Sequence, residues 1–331
     1  MNVAYSLLGT AILAVAVVDV LWTTLWVDGG SGPLSSRLTA ALWRGLRRAG
    51  DGRSRALSLA GPLMLVATLG AWVVAIWGGW TLVFAGAEGA LVNTREPVAV
   101  TWPGRVYFVA YTMFTMGNGD YYPATAGWQV ATALTTASGM LFVTMGVSYV
   151  LSVLGCVAEK RAFANAVTGL GERGETIVAR GYSGDFDALH HSLSSLAGDL
   201  DLLAEQHLAY PILNYYHCEQ PAQAAVVGVA VLDDALTLLR FGVPEGDRPN
   251  RALLEAARAA NANYLASLNE SLTEDVDRPL PPPDLDALRD AGVPTVTDGA
   301  FDAAVADLDD HRTTVREVVV ADAWAWPPLD R

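Results

Sequence analysis

The run Thr115-Met116-Gly117-Asn118-Gly119-Asp120 is where the residue types of this chain come closest to chemistry, and that chemistry is cation coordination by main-chain oxygen. A cation without its water needs oxygens on all sides, and backbone carbonyls supply them when successive peptides turn the same way. Such turning needs residues that accept φ > 0, and Gly117 and Gly119 do so without steric cost. Thr115 adds a hydroxyl at the inner end. Asp120 follows the run, and the aromatic residues Tyr107, Phe108 and Tyr111 precede it, as residues expected to support the loop by hydrogen bonding and packing. A lone Gly-x-Gly only marks a turn. The informative feature is the full order: apolar span, short aromatic segment, Thr-x-Gly-x-Gly-Asp, Pro123, apolar span.

Three apolar stretches, Val3–Trp26, Leu57–Ala85 and Trp128–Val157, are long enough to cross a ~30 Å hydrocarbon layer as helices. Residues 104–120 are too short to cross and return as regular structure, and non-helical backbone at that depth must be buried in protein or line a watery cavity. Between the first two spans, Arg37, Arg44, Arg47, Arg48, Arg53 and Arg55 stand against Asp28 and Asp51. The positive-inside rule makes that loop cytoplasmic, which places the N-terminus outside and the residues after the third span inside. Within the loop, Leu38, Ala41, Leu42 and Leu46 fall at helical spacing, either as an amphipathic helix on the inner leaflet or as an ordinary basic connection. Asp19 lies inside the first span, where a carboxylate is expected to hydrogen-bond a neighbouring span. The apolar N-terminus lacks the basic n-region of a signal peptide.

The loop and its flanks resemble the potassium channel family of two-transmembrane pore-loop channels over about Leu57 to Val157. Tyr107 and Phe108 match that family's pore-helix aromatics, Pro123 its post-filter proline, and Gly139 its inner-helix hinge, with Gly146 a second candidate for that role or for close helix packing. The resemblance implies a homotetramer in membrane lipid that conducts potassium passively. K+ would then be held by the carbonyls of Thr115, Met116, Gly117 and Asn118, with Gly119 completing the filter. It implies an outer helix over 57–85, a pore helix over 104–115, a filter over 115–120 and an inner helix over 128–157, together a pore domain of residues 57–158. Met116 replaces the family's usual valine or isoleucine. Asn118 replaces an aromatic residue, which removes a ring that packs on the pore helix. A weakly selective cation channel is therefore one alternative, and a non-conducting membrane sensor or scaffold is another. The first span, 1–27, and the basic segment, 28–56, are additions to the minimal pore.

Overall composition agrees with a membrane protein: 52% of residues are hydrophobic and mean hydropathy is +0.30. Charge is divided along the chain. Residues 1–161 carry ten Lys and Arg against seven Asp and Glu, and the remainder carry eleven against twenty-eight. An acidic tail excludes nucleic acid as a partner, since phosphate binding needs a basic face. Residues 159–331 read as an acidic helical cytoplasmic domain, a place for a regulator of the channel to bind. Phe186, Leu189, Leu193, Leu196, Leu200 and Leu203 form one stripe after Asp185 as N-cap, and Ala222–Phe241, Pro249–Leu272 and Phe301–Trp324 are further helices. Ala222–Leu232 ends at Asp233 and Asp234 and is expected to be a buried core helix; Pro279–Pro283 reads as an exposed linker. Gly169-Leu170-Gly171-Glu172-Arg173-Gly174 fits a dinucleotide fingerprint literally, yet it follows a helix rather than a strand. His190, His191, His207, His217 and Cys218 match no closed zinc spacing. No nucleophile with its base and no phosphate loop stands out, so the chain is expected to be neither an enzyme nor a cofactor carrier. The fold class expected is an all-α membrane protein: span, span, pore helix with filter loop, span, then a helical tail.

Overall fold

The computed structural model describes residues 2–26, 30–50, 58–96, 98–268, 276 and 281–324. The protein is an all-α membrane protein. Among these residues three helices are long and apolar enough to cross a membrane: α1 (Val3–Leu25), α3 (Ala60–Ala85) and α5 (Ala126–Leu170). Between the first two lies α2 (Pro33–Gly50), and between the last two a short α4 (Trp102–Met113). The described residues fall into two compact units, one of residues 1–45 with 62–153, the other of residues 46–61 with 154–331.

In the first unit the local causes are legible. Helix α4 starts where Thr101 accepts from the Gly104 amide at 3.4 Å with Pro103 in the first turn, and it stops where Thr115 turns to positive φ. It therefore occupies 102–113, two residues earlier at each end than the spacing of aromatics suggests. A two-stranded antiparallel ribbon, β1 (Leu91–Asn93) with β2 (Tyr121–Pro123), pairs Val92 with Tyr122. The sequence reading contained no strands; three-residue strands carry too little periodicity to be seen. Phe84 of α3, Phe108 of α4 and Leu91 of β1 are buried together, with the two phenyl rings edge to face at 5.1 Å.

Asp19 is fully buried. Its carboxylate accepts the indole N–H of Trp72 on α3 at 2.7 Å, the amide of Leu34 at 2.7 Å and the amide of Ser35 at 3.2 Å, together with the Ser35 hydroxyl. The expected bond to a neighbouring span is present, and the same carboxylate also caps α2.

The second unit is helical throughout its described core. The last third of α5 belongs to it, with Phe163 and Val167 buried in its centre. The inner helix thus runs to Leu170 and not to 157, since nothing between Glu159 and Leu170 breaks a helix and Phe163, Ala164 and Val167 give that stretch an apolar face. After α6 (Gly174–Gly181), helix α7 (Asp187–Ala209) buries the anticipated leucine stripe, and the Asp185 side chain accepts from the Asp187 amide. Helix α8 (Ala225–Thr237) is buried at every position and continues as a π turn over Leu238–Gly242. Helix α9 (Arg251–Ser267) matches the next expectation, of which 269–272 lie outside the described residues. After the short α10 (Leu285–Asp290), the stretch read as one helix from Phe301 to Trp324 is two, α11 (Asp298–Ala306) and α12 (Asp309–Ala321), separated at Asp307 and Leu308. Within the described part of Pro279–Pro283, Pro281 and Pro282 are exposed as expected, whereas Pro283 is buried and the Pro281 carbonyl accepts from Arg312, which ties the end of the segment to the fold.

Candidate functional site

The loop after α4 takes its shape from its backbone. Thr115, Gly117 and Gly119 have φ of 59°, 60° and 74°, while Met116 and Asn118 between them do not have positive φ. Reversing backbone hand at every second residue brings successive carbonyls to one side. Two of these positions are glycine, as the coordination argument requires. The third is Thr115, where a side chain in the left-handed region costs about 1–2 kcal/mol. Local bonds hold that residue: the Thr115 amide donates to Thr112 O at 3.1 Å and the Met116 amide to Tyr111 O at 2.7 Å. Strain kept in place by its surroundings is characteristic of functional backbone.

The carbonyls of Thr115, Met116, Gly117 and Asn118 accept no hydrogen bond from any described residue, and all four residues are exposed on the protomer. Only further out are the carbonyls engaged: Thr94 Oγ1 lies 3.2 Å from Gly119 O and 2.8 Å from Asp120 O, and the Thr94 amide donates to Asp120 O at 3.0 Å. Four consecutive free carbonyls on a loop can coordinate a cation, since each keeps its lone pairs.

Side chains behind the loop form a connected network. Tyr107 donates to Asp120 Oδ2 at 3.2 Å, and the Asn118 amide donates to the Tyr107 hydroxyl. Arg95 holds the other Asp120 oxygen at 2.6 Å. The Tyr111 hydroxyl donates to Tyr121 O at 2.8 Å and accepts from the Tyr121 amide at 3.3 Å, so one side chain of α4 fixes the chain on the far side of the loop. Asn118 therefore remains tied to α4, by a hydrogen bond where a ring would have packed. Phe108 plays a different part: it faces away into the core against Phe84.

Gly139 of α5 lies against the end of α4. A Cβ there would come within 2.1 Å of Met113 O, so glycine is required for the two helices to meet. Thr136, one turn earlier, donates to Thr112 O at 3.3 Å. Close approach gives Gly139 a packing role, and α5 is a single uninterrupted helix there. Gly146 is less confined, with Leu69 at 3.5 Å from where its Cβ would be.

Sequence reasoning passed over Thr94, Arg95, Thr136 and the positive φ of Thr115. Arg95 carried a signal, being the single Lys or Arg between Ala85 and Arg105 while Asp120 waits in the loop. The other three had none, because a threonine in an apolar or turn context looks like any other. In the tail, the glycine run 169–174 joins α5 to α6 with no strand before it. His190 and His191 are exposed, His207 donates Nδ1–H to Leu203 O at 2.8 Å, and His217 contacts Asp322 at 3.1 Å. Among the described residues no three His, Cys, Asp or Glu side chains are placed to hold a metal, and Cys156 and Cys218 are free thiols.

A family model described as "Ion channel" matches residues 63–155, which takes in α3 from its first turn, the loop and most of the membrane part of α5. A curated relative, the "Uncharacterized membrane protein YdjJ" of Bacillus subtilis (strain 168), is 37% identical over 328 residues, covering 99% of this chain and 96% of its own. No solved structure matches. Since the likeness to YdjJ runs through the first span and the tail as well as the loop, the chain belongs to the family of that membrane protein, and its residues 63–155 match the ion-channel model.

Proposed function

We propose that this protein is a homotetrameric channel for passive potassium conduction, with the carbonyls of Thr115, Met116, Gly117 and Asn118 as the ion ladder. The single observation that carries this reading is the alternation of positive φ at 115, 117 and 119 beside four carbonyls with no described donor. One such loop cannot surround an ion; four copies related by a closed ring can. The exposed apolar residues of the loop and of α5, including Phe114, Met116, Leu134 and Leu141, fit burial against neighbouring copies or lipid. The C-terminus of α4 supplies about half a negative charge below the loop, which favours a cation there. The orientation this reading takes has the N-terminus outside and the tail cytoplasmic.

The test is flux from proteoliposomes loaded with potassium or sodium, for the wild type and Asn118→Tyr. Potassium flux at least tenfold above sodium, blocked by barium, supports the potassium reading. A second reading, a less selective cation pathway, rests on Asn118, whose amide leaves more room than a ring while keeping its bond to Tyr107. Equal sodium and potassium flux that becomes potassium-selective in Asn118→Tyr decides for it. No flux of either ion from correctly assembled protein rejects both.

A further inference from the structure

The basic segment between the first two spans has a place in the fold that the pore does not explain. Asp19 is six residues before the end of α1, which is ~9 Å along the helix axis. Because its carboxylate holds the amides of Leu34 and Ser35, the start of α2 lies at that depth beside α1 and not beyond its end. Thr23 repeats the tie one turn later by accepting the Gly32 amide at 2.9 Å. A helix pinned at that depth, about 9 Å inside the end of a spanning helix, lies within the roughly 5–10 Å to which interfacial helices sink at the boundary of headgroups and acyl chains.

Two faces of α2 then matter. Ser35 and Thr39 are buried, and Leu34, Leu38, Leu42 and Leu46 are partly covered, whereas Arg37 and Arg44, seven residues apart and so on one side, are exposed. Beside the first turn of α2 an apolar cleft of about 320 Å³ is lined by Ala11, Ile12, Val15 and Ala16 of α1, Ala75 of α3 and Leu34 of α2. Arg37 is one turn from Leu34, where the covered and exposed sides of the helix meet. The charged residues of α2 whose side chains are described, Arg37 and Arg44, are both positive and exposed, while the Asp19 carboxylate is fully buried and taken up by the Leu34 and Ser35 amides.

We propose that α2 and the cleft beneath it form a binding site for an anionic phospholipid, an acyl chain lying in the cleft and the headgroup phosphate meeting Arg37 and the basic face of α2. The fit is one of chemistry at both ends: purely apolar lining where the chain would go, guanidinium where the phosphate would be, joined by a helix fixed at the interface. The site is separate from the loop and does not depend on the ion conducted.

The full-length protein is reconstituted in vesicles of equal phosphatidylglycerol and phosphatidylcholine, extracted in mild detergent, and its retained lipids are counted by native mass spectrometry. The expected result is at least fivefold more phosphatidylglycerol than phosphatidylcholine on the wild type. That ratio should fall to near one in Arg37→Gln, survive in Arg37→Lys, and be lost with the bound lipid itself in Val15→Trp, which fills the cleft without touching charge. Added inorganic phosphate at 10 mM should not displace the lipid. Equal retention of the two lipids by the wild type, an unchanged ratio in Arg37→Gln, or displacement by free phosphate would each overturn the proposal. Because Val15→Trp keeps every charge and capping bond, it decides the matter if Arg37→Gln fails to fold.

Discussion

Asp234→Asn should convert a tail whose stability is nearly level between pH 4 and 6.5 into one whose stability climbs with pH. Asp234, on α8, is buried, and its Oδ1 lies 2.9 Å from Nη1 of Arg312 on α12, a guanidinium with no exposed surface. Its neighbour Asp233 accepts from Asn261 of α9 at 2.9 Å and contacts His311 at 2.7 Å. Loss of water is the largest influence on Asp234. It outweighs the attraction of Arg312, and the charges of Asp233 and Glu175 push the same way, so the carboxyl rises from 3.8 to about 7. His207 moves oppositely: burial first, then the charge of Lys160, lower it from 6.5 to about 3 against the bond to Leu203. The folded chain keeps the Asp234 proton where the unfolded chain has released it, so this contribution falls by about 1.4 kcal/mol per pH unit as pH rises from about 4 to about 7. The unfolded chain protonates His207 below 6.5 while the folded chain does not, so that contribution rises with pH at the same rate up to 6.5. The two cancel over their shared window. Asparagine keeps an oxygen for Arg312 but cannot titrate, which leaves His207 alone and a gain of about 3–4 kcal/mol between pH 4 and 6.5. The assay is urea unfolding of the full chain in detergent at half-unit pH steps, read by the loss of helical far-UV circular dichroism as α7, α8 and α9 of the tail unfold. Subtracting the variant from the wild type isolates Asp234. A difference that stays level within 1 kcal/mol from pH 4 to 7 would refute the burial argument.

Three other substitutions test the membrane unit. Gly139→Ala should lower the melting temperature and disrupt assembly by size-exclusion chromatography, because its methyl would sit 2.1 Å from Met113 O and overpacking costs about 1–3 kcal/mol or more; Gly146→Ala, with 3.5 Å of room, should leave both within error. Asp19→Ala strands the Leu34 and Ser35 amides and the Trp72 indole, at about 1–3 kcal/mol for each buried donor left unpaired, and should open α2 to proteolysis that the wild type resists. Tyr111→Phe removes the one hydroxyl that both donates to and accepts from Tyr121, and should cut ion flux several-fold, whereas Arg95→Gln removes an exposed ion pair worth under about 1 kcal/mol and should change it less than twofold.

The sequence by itself determined what depends on length, run and local conformation: which stretches are long and apolar enough to cross a membrane, which short segment is not, that Gly117 and Gly119 are free to take positive φ, and that the apolar run before Asp233 is a core helix, although the helix begins at Ala225 and not at Ala222. Each is a property of consecutive residues and needs no distant partner. Tertiary structure decided the rest. Asp19 finds α2 as well as α3, Arg95 finds Asp120, Gly139 finds Met113, and Asp234 finds Arg312 seventy-eight residues away. Asp307 and Leu308 divide a helix that periodicity alone would continue, and α5 runs on to Leu170 because the tail gives its apolar face something to bury against. A buried charge or an absent side chain is costly or useful only in relation to what meets it, and that partner is chosen by packing between segments far apart in the chain.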